Sequence, residues 1–134
     1  MAALINGHTS TLFTLTPEFH AALNQSVQDR KDAEFAARIR SWRPDAVAEL
    51  DDPALAEQVG VYRRIAASFG VTDPALKARW VMIGAVLAPE FWKSEAIYPL
   101  LVAKTGTPDI RFGDVCAALK VSLGMVGRSS EVWW

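Results

Sequence analysis

From Thr16 onward the apolar side chains recur every three or four residues, the spacing that lines one face of a helix. Residues 1–15 lack that period. They hold Gly7 and two Thr/Ser clusters, and read as a flexible N-terminal arm with a short extended piece at Thr11 to Leu15. Thr16-Pro17-Glu18 then opens the first helix. The threonine can accept a backbone N–H, the proline has no N–H to leave unpaired, and the glutamate complements the positive helix end. Phe19, Leu23 and Val27 begin a stripe that Phe35, Ile39 and Trp42 continue after the polar run Gln28 to Asp32. One long helix, or two in line, therefore reaches about Arg43, where Pro44 biases the preceding residue out of the helical region.

Asp45 to Leu50 forms a short turn in this reading. Leu55, Val59, Tyr62, Ile65, Ala66 and Phe69 make the next apolar face, closed by Gly70 as a left-handed cap. A further helix starts at Asp73-Pro74. Leu76, Trp80, Ile83 and Leu87, widened by Val81, Met82 and Val86, make it apolar almost all round and therefore central. Pro89 interrupts it. Ile97, Leu100 and Leu101 predict another helix reaching Lys104, bent or broken near Pro99, and Thr105 to Asp109 is a loop by composition. Asp109 to Leu123 is the last helix, with Ile110, Phe112, Val115, Leu119 and Leu123 on its core face. The fold expected is all-α, a single domain over residues 16–134 built as an irregular or orthogonal bundle of five to six helices, with Trp80 to Leu87 at its centre.

The sequence Asp52-Pro53-Ala54-Leu55 returns 21 residues later as Asp73-Pro74-Ala75-Leu76. Past these four positions only the helix phase agrees, so the echo marks two capped helix starts rather than a repeated unit.

Composition narrows the possibilities. A chain of 134 residues that is 51% hydrophobic and 22% charged can build a core and does not match disordered chains. A net charge of −1 supplies no field for nucleic acid, and no nucleic-acid partner is expected. The longest apolar segment, Trp80 to Pro89, is half of the roughly 20 residues a membrane span needs. The interrupted N-terminus is a poor secretory signal, and with Cys116 as the single cysteine the expected location is cytoplasmic.

No catalytic signature emerges. His8 and His20 match no metal-ligand spacing, and Cys116 sits among apolar neighbours that make a thiol inert. Glu90 and Glu95, flanking Phe91 and Trp92, are the least implausible acid and base, although no spacing places one carboxylate in an apolar pocket. Asp29, Asp32 and Glu34 read as the solvated side of the first helix. The expectation is a non-enzyme with no cofactor and no metal.

Arginine and tryptophan dominate protein-interface hot spots. Arg38-Ile39-Arg40, Trp42 and Arg43 could form a recognition rim, with Arg63 on the next helix. Phe91, Trp92, Trp133 and Trp134 complete the candidate partner-binding residues, since two terminal tryptophans expose a large apolar area unless they dock on this chain's own core, on a partner or on a second copy in a homodimer, an exposed disordered tail being the remaining alternative.

Phe35, Arg38, Ile39 and Arg40 lead to Trp42-Arg43-Pro44, then to Leu50 and Leu55. Ala66-Ala67-Ser68-Phe69-Gly70-Val71 follows, and Val81-Met82-Ile83-Gly84 leads to Pro89-Glu90-Phe91-Trp92. In these segments, roughly residues 35–101, the chain resembles small helical accessory proteins associated with bacterial type VI secretion effectors, with Phe69 where tyrosine is commoner. The resemblance implies a chaperone, adaptor or immunity protein acting on a secreted effector, and it carries no catalytic residues. The alternative is a regulatory or small-molecule-binding helical domain with an aromatic-lined apolar pocket.

Overall fold

Prolines set the starts of the three principal helices. In the computed structural model, which describes residues 16–122, α1 runs Pro17–Trp42, α2 Asp52–Ser68 and α3 Pro74–Met82, each with proline in its first two positions. Thr16 Oγ1 accepts the Phe19 N–H at 3.1 Å and Asp73 accepts that of Ala75 at 2.9 Å. The echoed aspartates are not equivalent. Asp51 is the cap of α2, accepting the Ala54 N–H at 2.8 Å, while Asp52 already lies inside the helix and accepts a 2.8 Å bond from Arg40 Nε. Each capping oxygen satisfies a donor that the helix cannot, for about 1 kcal/mol.

Gly70 closes α2 as the sequence predicts. Its φ of 88° turns the chain so that the Val71 N–H reaches the Ala66 carbonyl at 3.1 Å and its own N–H that of Ala67 at 2.9 Å. Past Met82 the backbone departs from expectation. The helix predicted through Leu87 loosens into a π-helical turn, Ile83–Leu87, closed by the Ala88 N–H on the Ile83 carbonyl at 2.8 Å. Pro89 explains the change, because its ring pushes Ala88 out of the α region. Gly84 lies in this turn under Tyr62, and a Cβ there would meet two ring carbons at 3.0 Å.

Glu90, at φ 56°, swings the chain into a 3-10 turn at Phe91–Lys93. A short helix α4, Tyr98–Leu101, follows, and α5 spans Pro108–Ser122. Pro99 sits in the first turn of α4, where proline is tolerated, so it starts that helix instead of breaking it. The described residues are an all-α bundle of irregular packing, with no strand among them. The arm at 1–15 and the Trp133-Trp134 end lie outside them.

α1 packs on α2, α2 on α3, and α4 on α5. Trp80 is fully buried at the centre, its ring 4.9 Å from Phe91, 4.9 Å from Phe112, 5.3 Å from Phe69 and 5.7 Å from Trp92. Phe112, Val115, Cys116 and Leu119 bring α5 to this core, whereas Ile110, expected on the same face, is exposed. Charged side chains tie the loops down. Arg111 donates to the carbonyls of Leu101, Thr105 and Gly106, and Asp109 accepts the N–H and hydroxyl of Thr72 at 2.8 and 2.9 Å. Arg40 binds the carbonyls of Val47 and Leu50, fixing the turn between α1 and α2.

Candidate partner-binding site

α1 and α3 both rest on α2, yet neither packs closely on the other. Among the described residues the space between them is a cleft. At one end about 300 Å³ is lined by Phe35, Arg38, Ile39 and Trp42 of α1 with Ala78 and Met82 of α3. The adjoining part, about 330 Å³, shares Phe35 and Ala78 and adds Gln28, Lys31 and Asp32 from α1, Val59 and Arg63 from α2, and Pro74, Lys77 and Val81 from α3. Lys31, Phe35, Arg38 and Trp42 recur at i, i+4, i+7 and i+11, which puts them on one face of α1. Two of the sequence-predicted residues, Arg38 and Trp42, thus meet in one cleft.

Arg38 is exposed at the rim, with no carboxylate within ion-pair distance among the described residues. Trp42 is half-buried, and the Arg43 guanidinium lies 6.0 Å from its ring centre, within cation–π range. Arg43 also donates twice to Asp45 at 3.2 Å, and these bonds hold the Asp45 carboxyl below its ordinary range.

The other predicted residues have different places. Arg63 is committed to the fold. Its Nε and Nη2 each reach Asp32 at 3.1 Å, a two-pronged bridge from α2 to α1, and Gln28 Nε2 donates to the same carboxylate at 3.1 Å. Asp32, expected in solvent, is 6% exposed. It falls on the inward stripe with Ala36 and Ile39, and a carboxylate there is tolerated because a cation and an amide complete it. Gly60 leaves room for the bridge, since a Cβ there would come within 2.8 Å of Asp32 Oδ2.

Phe91 and Trp92 are 3% and 5% exposed, so they are core rather than contact residues. The turn after Pro89 folds them inward onto Trp80, a tertiary effect that their polar flanks, Glu90 and Lys93, conceal. Trp133 and Trp134 lie outside the described residues, as do His8 and Leu123. The sequence reading missed Lys31, Lys77, Ala78 and Met82. The α1 spacing held a signal for Lys31, but nothing in the sequence pairs α3 with that face.

Among the described residues no group of three or more His, Cys, Asp or Glu side chains is placed to hold a metal. Glu90 and Glu95 are both exposed, and Glu90 pairs with Lys93 at 3.0 Å, which is not the apolar setting of a general acid. Cys116 is 2% exposed, and burial pushes its thiol up to about 11 against the opposing pull of Arg79 and Lys120. A thiol so placed is a poor nucleophile at neutral pH. No helix of the described residues is long and apolar enough to cross a membrane.

No protein-family model, curated protein or solved structure matches the chain. The arrangement of its own residues is what bears on function.

Proposed function

We propose that this chain is a non-enzymatic protein-binding module that receives a segment of its partner in the cleft between α1 and α3. The observation that carries the proposal is the company of Phe35, Arg38 and Trp42 with Ala78 and Met82. An apolar floor, a half-buried tryptophan and an arginine without an ion-pair partner among the described residues are the composition of an interface hot spot. The partner class comes from the sequence resemblance and is a secreted bacterial effector, to which the chain would act as an accessory, chaperone or immunity-type protein in the cytoplasm. The aromatic cluster supports this choice over a small-molecule pocket, because its rings pack on one another at 4.9 to 6.1 Å instead of enclosing a space.

A photo-crosslinking residue at Ala78, on the cleft wall, should capture one protein from the native cell lysate, and Trp42→Ala should abolish that capture. The same residue at Ala117, exposed on α5, should capture nothing. Capture that survives Trp42→Ala, or recovery of a small molecule with no protein, would overturn the proposal.

A further inference from the structure

Charge gives the cleft a more specific occupant. The chain as a whole is at −1, but among the described residues the two joined parts of the cleft are lined by four cationic side chains, Lys31, Arg38, Arg63 and Lys77, against the single carboxylate of Asp32. Asp32 and Arg63 neutralise each other through their paired 3.1 Å bonds. The remaining cations are Lys31 and Arg38 on α1 and Lys77 on α3, part of whose field falls on Asp109. Arg38 and Lys31 stand on the α1 rim and Lys77 on the α3 rim, with the apolar floor between them.

From Gln28 to Trp42 the α1 wall rises about 21 Å, the length of roughly four helical turns. A cleft of that length, apolar along the floor between Phe35 and Trp42 and with cations on both edges, matches a helix with apolar residues at i, i+4 and i+7 and acidic residues on either flank. The geometry points to an acidic amphipathic helix, presented by the partner protein, as the segment that lies between α1 and α3. This rests on the protein-binding proposal above and goes further in fixing the chemistry of the bound segment.

The test uses the full chain, immobilised, and a displayed library of peptides about 16 residues long, enough to span the cleft. Enriched peptides should carry the spaced apolar residues with Asp and Glu on both flanks, and in solution should shift the backbone resonances of Phe35, Ala78 and Met82. Their affinity should fall at least about tenfold between about 50 and 500 mM salt, as it must when exposed charges across a rim do the steering. Arg38→Glu should cost about tenfold as well and should transfer the preference to Lys-flanked peptides.

Peptides that occupy the cleft but are neutral or basic would overturn the acidic helix while leaving the protein-binding proposal intact, since that proposal stands or falls on the Ala78 crosslink and its dependence on Trp42. Enriched peptides that map elsewhere, or a library that yields none, would also overturn it. So would dodecanoate binding the cleft as tightly as the peptides, a concentration-dependent dimer with these residues at its interface, or contacts from Trp133 and Trp134 to the Ile39 and Met82 methyls in the free chain.

Discussion

Trp80 and Trp42 each lie on a hydrophobic stripe of a principal helix, and the bundle treats them in opposite ways. Trp80 is fully buried, ringed by Phe69, Phe91, Trp92 and Phe112. Trp42 is half-buried, with Phe35 on its own helix beside the same cleft and a guanidinium 6.0 Å away. Side-chain chemistry does not separate them. What does is how many elements converge on the packed one: Phe69 at the end of α2, the 3-10 turn and α5 close around Trp80, whereas Trp42 stays half-buried at the C-terminal end of α1. An abundance of aromatic residues therefore says little about binding until the packed ones are set aside.

The largest effect should come from breaking the packed side. Trp80→Ala removes the ring on which four others rest, and a cavity of that kind costs about 3–5 kcal/mol, a large part of the 5–15 kcal/mol available to an ordinary domain. Urea denaturation of the full chain measures it. A loss below about 1 kcal/mol would mean that the aromatic cluster is not the centre of the fold.

Between the two regions lies the Asp32–Arg63 bridge, which joins α1 to α2 beneath the cleft. Asp32→Ala leaves Arg63 with an unpaired charge. Because the Arg63 side chain keeps 25% exposure and can recover some hydration, the expected cost is about 2–3 kcal/mol, below the full range for breaking a buried pair. The double change Asp32→Leu with Arg63→Met should return most of that loss. A double-mutant cycle with no coupling would show that the two side chains act independently.

A third effect depends on pH. The folded state holds Cys116 as a neutral thiol with its pKa raised to about 11 from an ordinary value of 9.0. That preference contributes its full stability below about pH 9 and is lost as the pH climbs through 11, because the unfolded chain releases the proton first. Burial also raises Tyr62, which works in the same direction. Comparing denaturation midpoints of the native chain and Cys116→Ala from pH 8 to 11 separates the two. The native chain should lose stability more steeply with rising pH, and parallel curves would place the thiol in water.

Much of the scaffold was legible, and for identifiable reasons. Caps and breakers act locally, so Thr16, Asp73, Pro44 and Gly70 marked helix ends that the structure keeps. The arginine and tryptophan on the α1 face of the cleft were also legible, because one helix's own spacing brings Arg38 and Trp42 together. Asp32 was misread because a carboxylate within a polar run looks solvated unless its cation, 31 residues away, is known to face it. Phe91 and Trp92 were misread because the left-handed turn at Glu90, after Pro89, decides which way they point, and no local pattern announces it. Ala78 and Met82 were invisible as cleft residues, since the gap they line arises from α1 and α3 both resting on α2 without packing closely on each other.

Gly60 offers a smaller and more discriminating perturbation. In a helix, replacing glycine by alanine ordinarily gains up to about 1 kcal/mol. Here the new Cβ would press on Asp32 Oδ2 at 2.8 Å, and Asp32 is held by three hydrogen bonds. Gly60→Ala should therefore destabilise the native chain by about 1 kcal/mol net. In the Asp32→Ala background the same change should become stabilising. If the sign does not reverse, the close approach of α1 and α2 is not governed by the bridge.

The smallest stability effect belongs to the exposed side of the comparison. Trp42→Ala removes a half-buried ring at the end of α1, where solvent already reaches one side and no cavity is sealed in, so the cost should stay within about 1 kcal/mol. Its effect on association should be far larger, because a tryptophan beside an apolar floor supplies contact area that a partner cannot recover from alanine. The measurement pairs urea denaturation with the Ala78 crosslink on the same preparation. A variant that melts like the native chain and no longer crosslinks would separate the two tryptophans by role. A variant that unfolds as readily as Trp80→Ala would show that the cleft wall is part of the core, and the contrast between the two regions would dissolve.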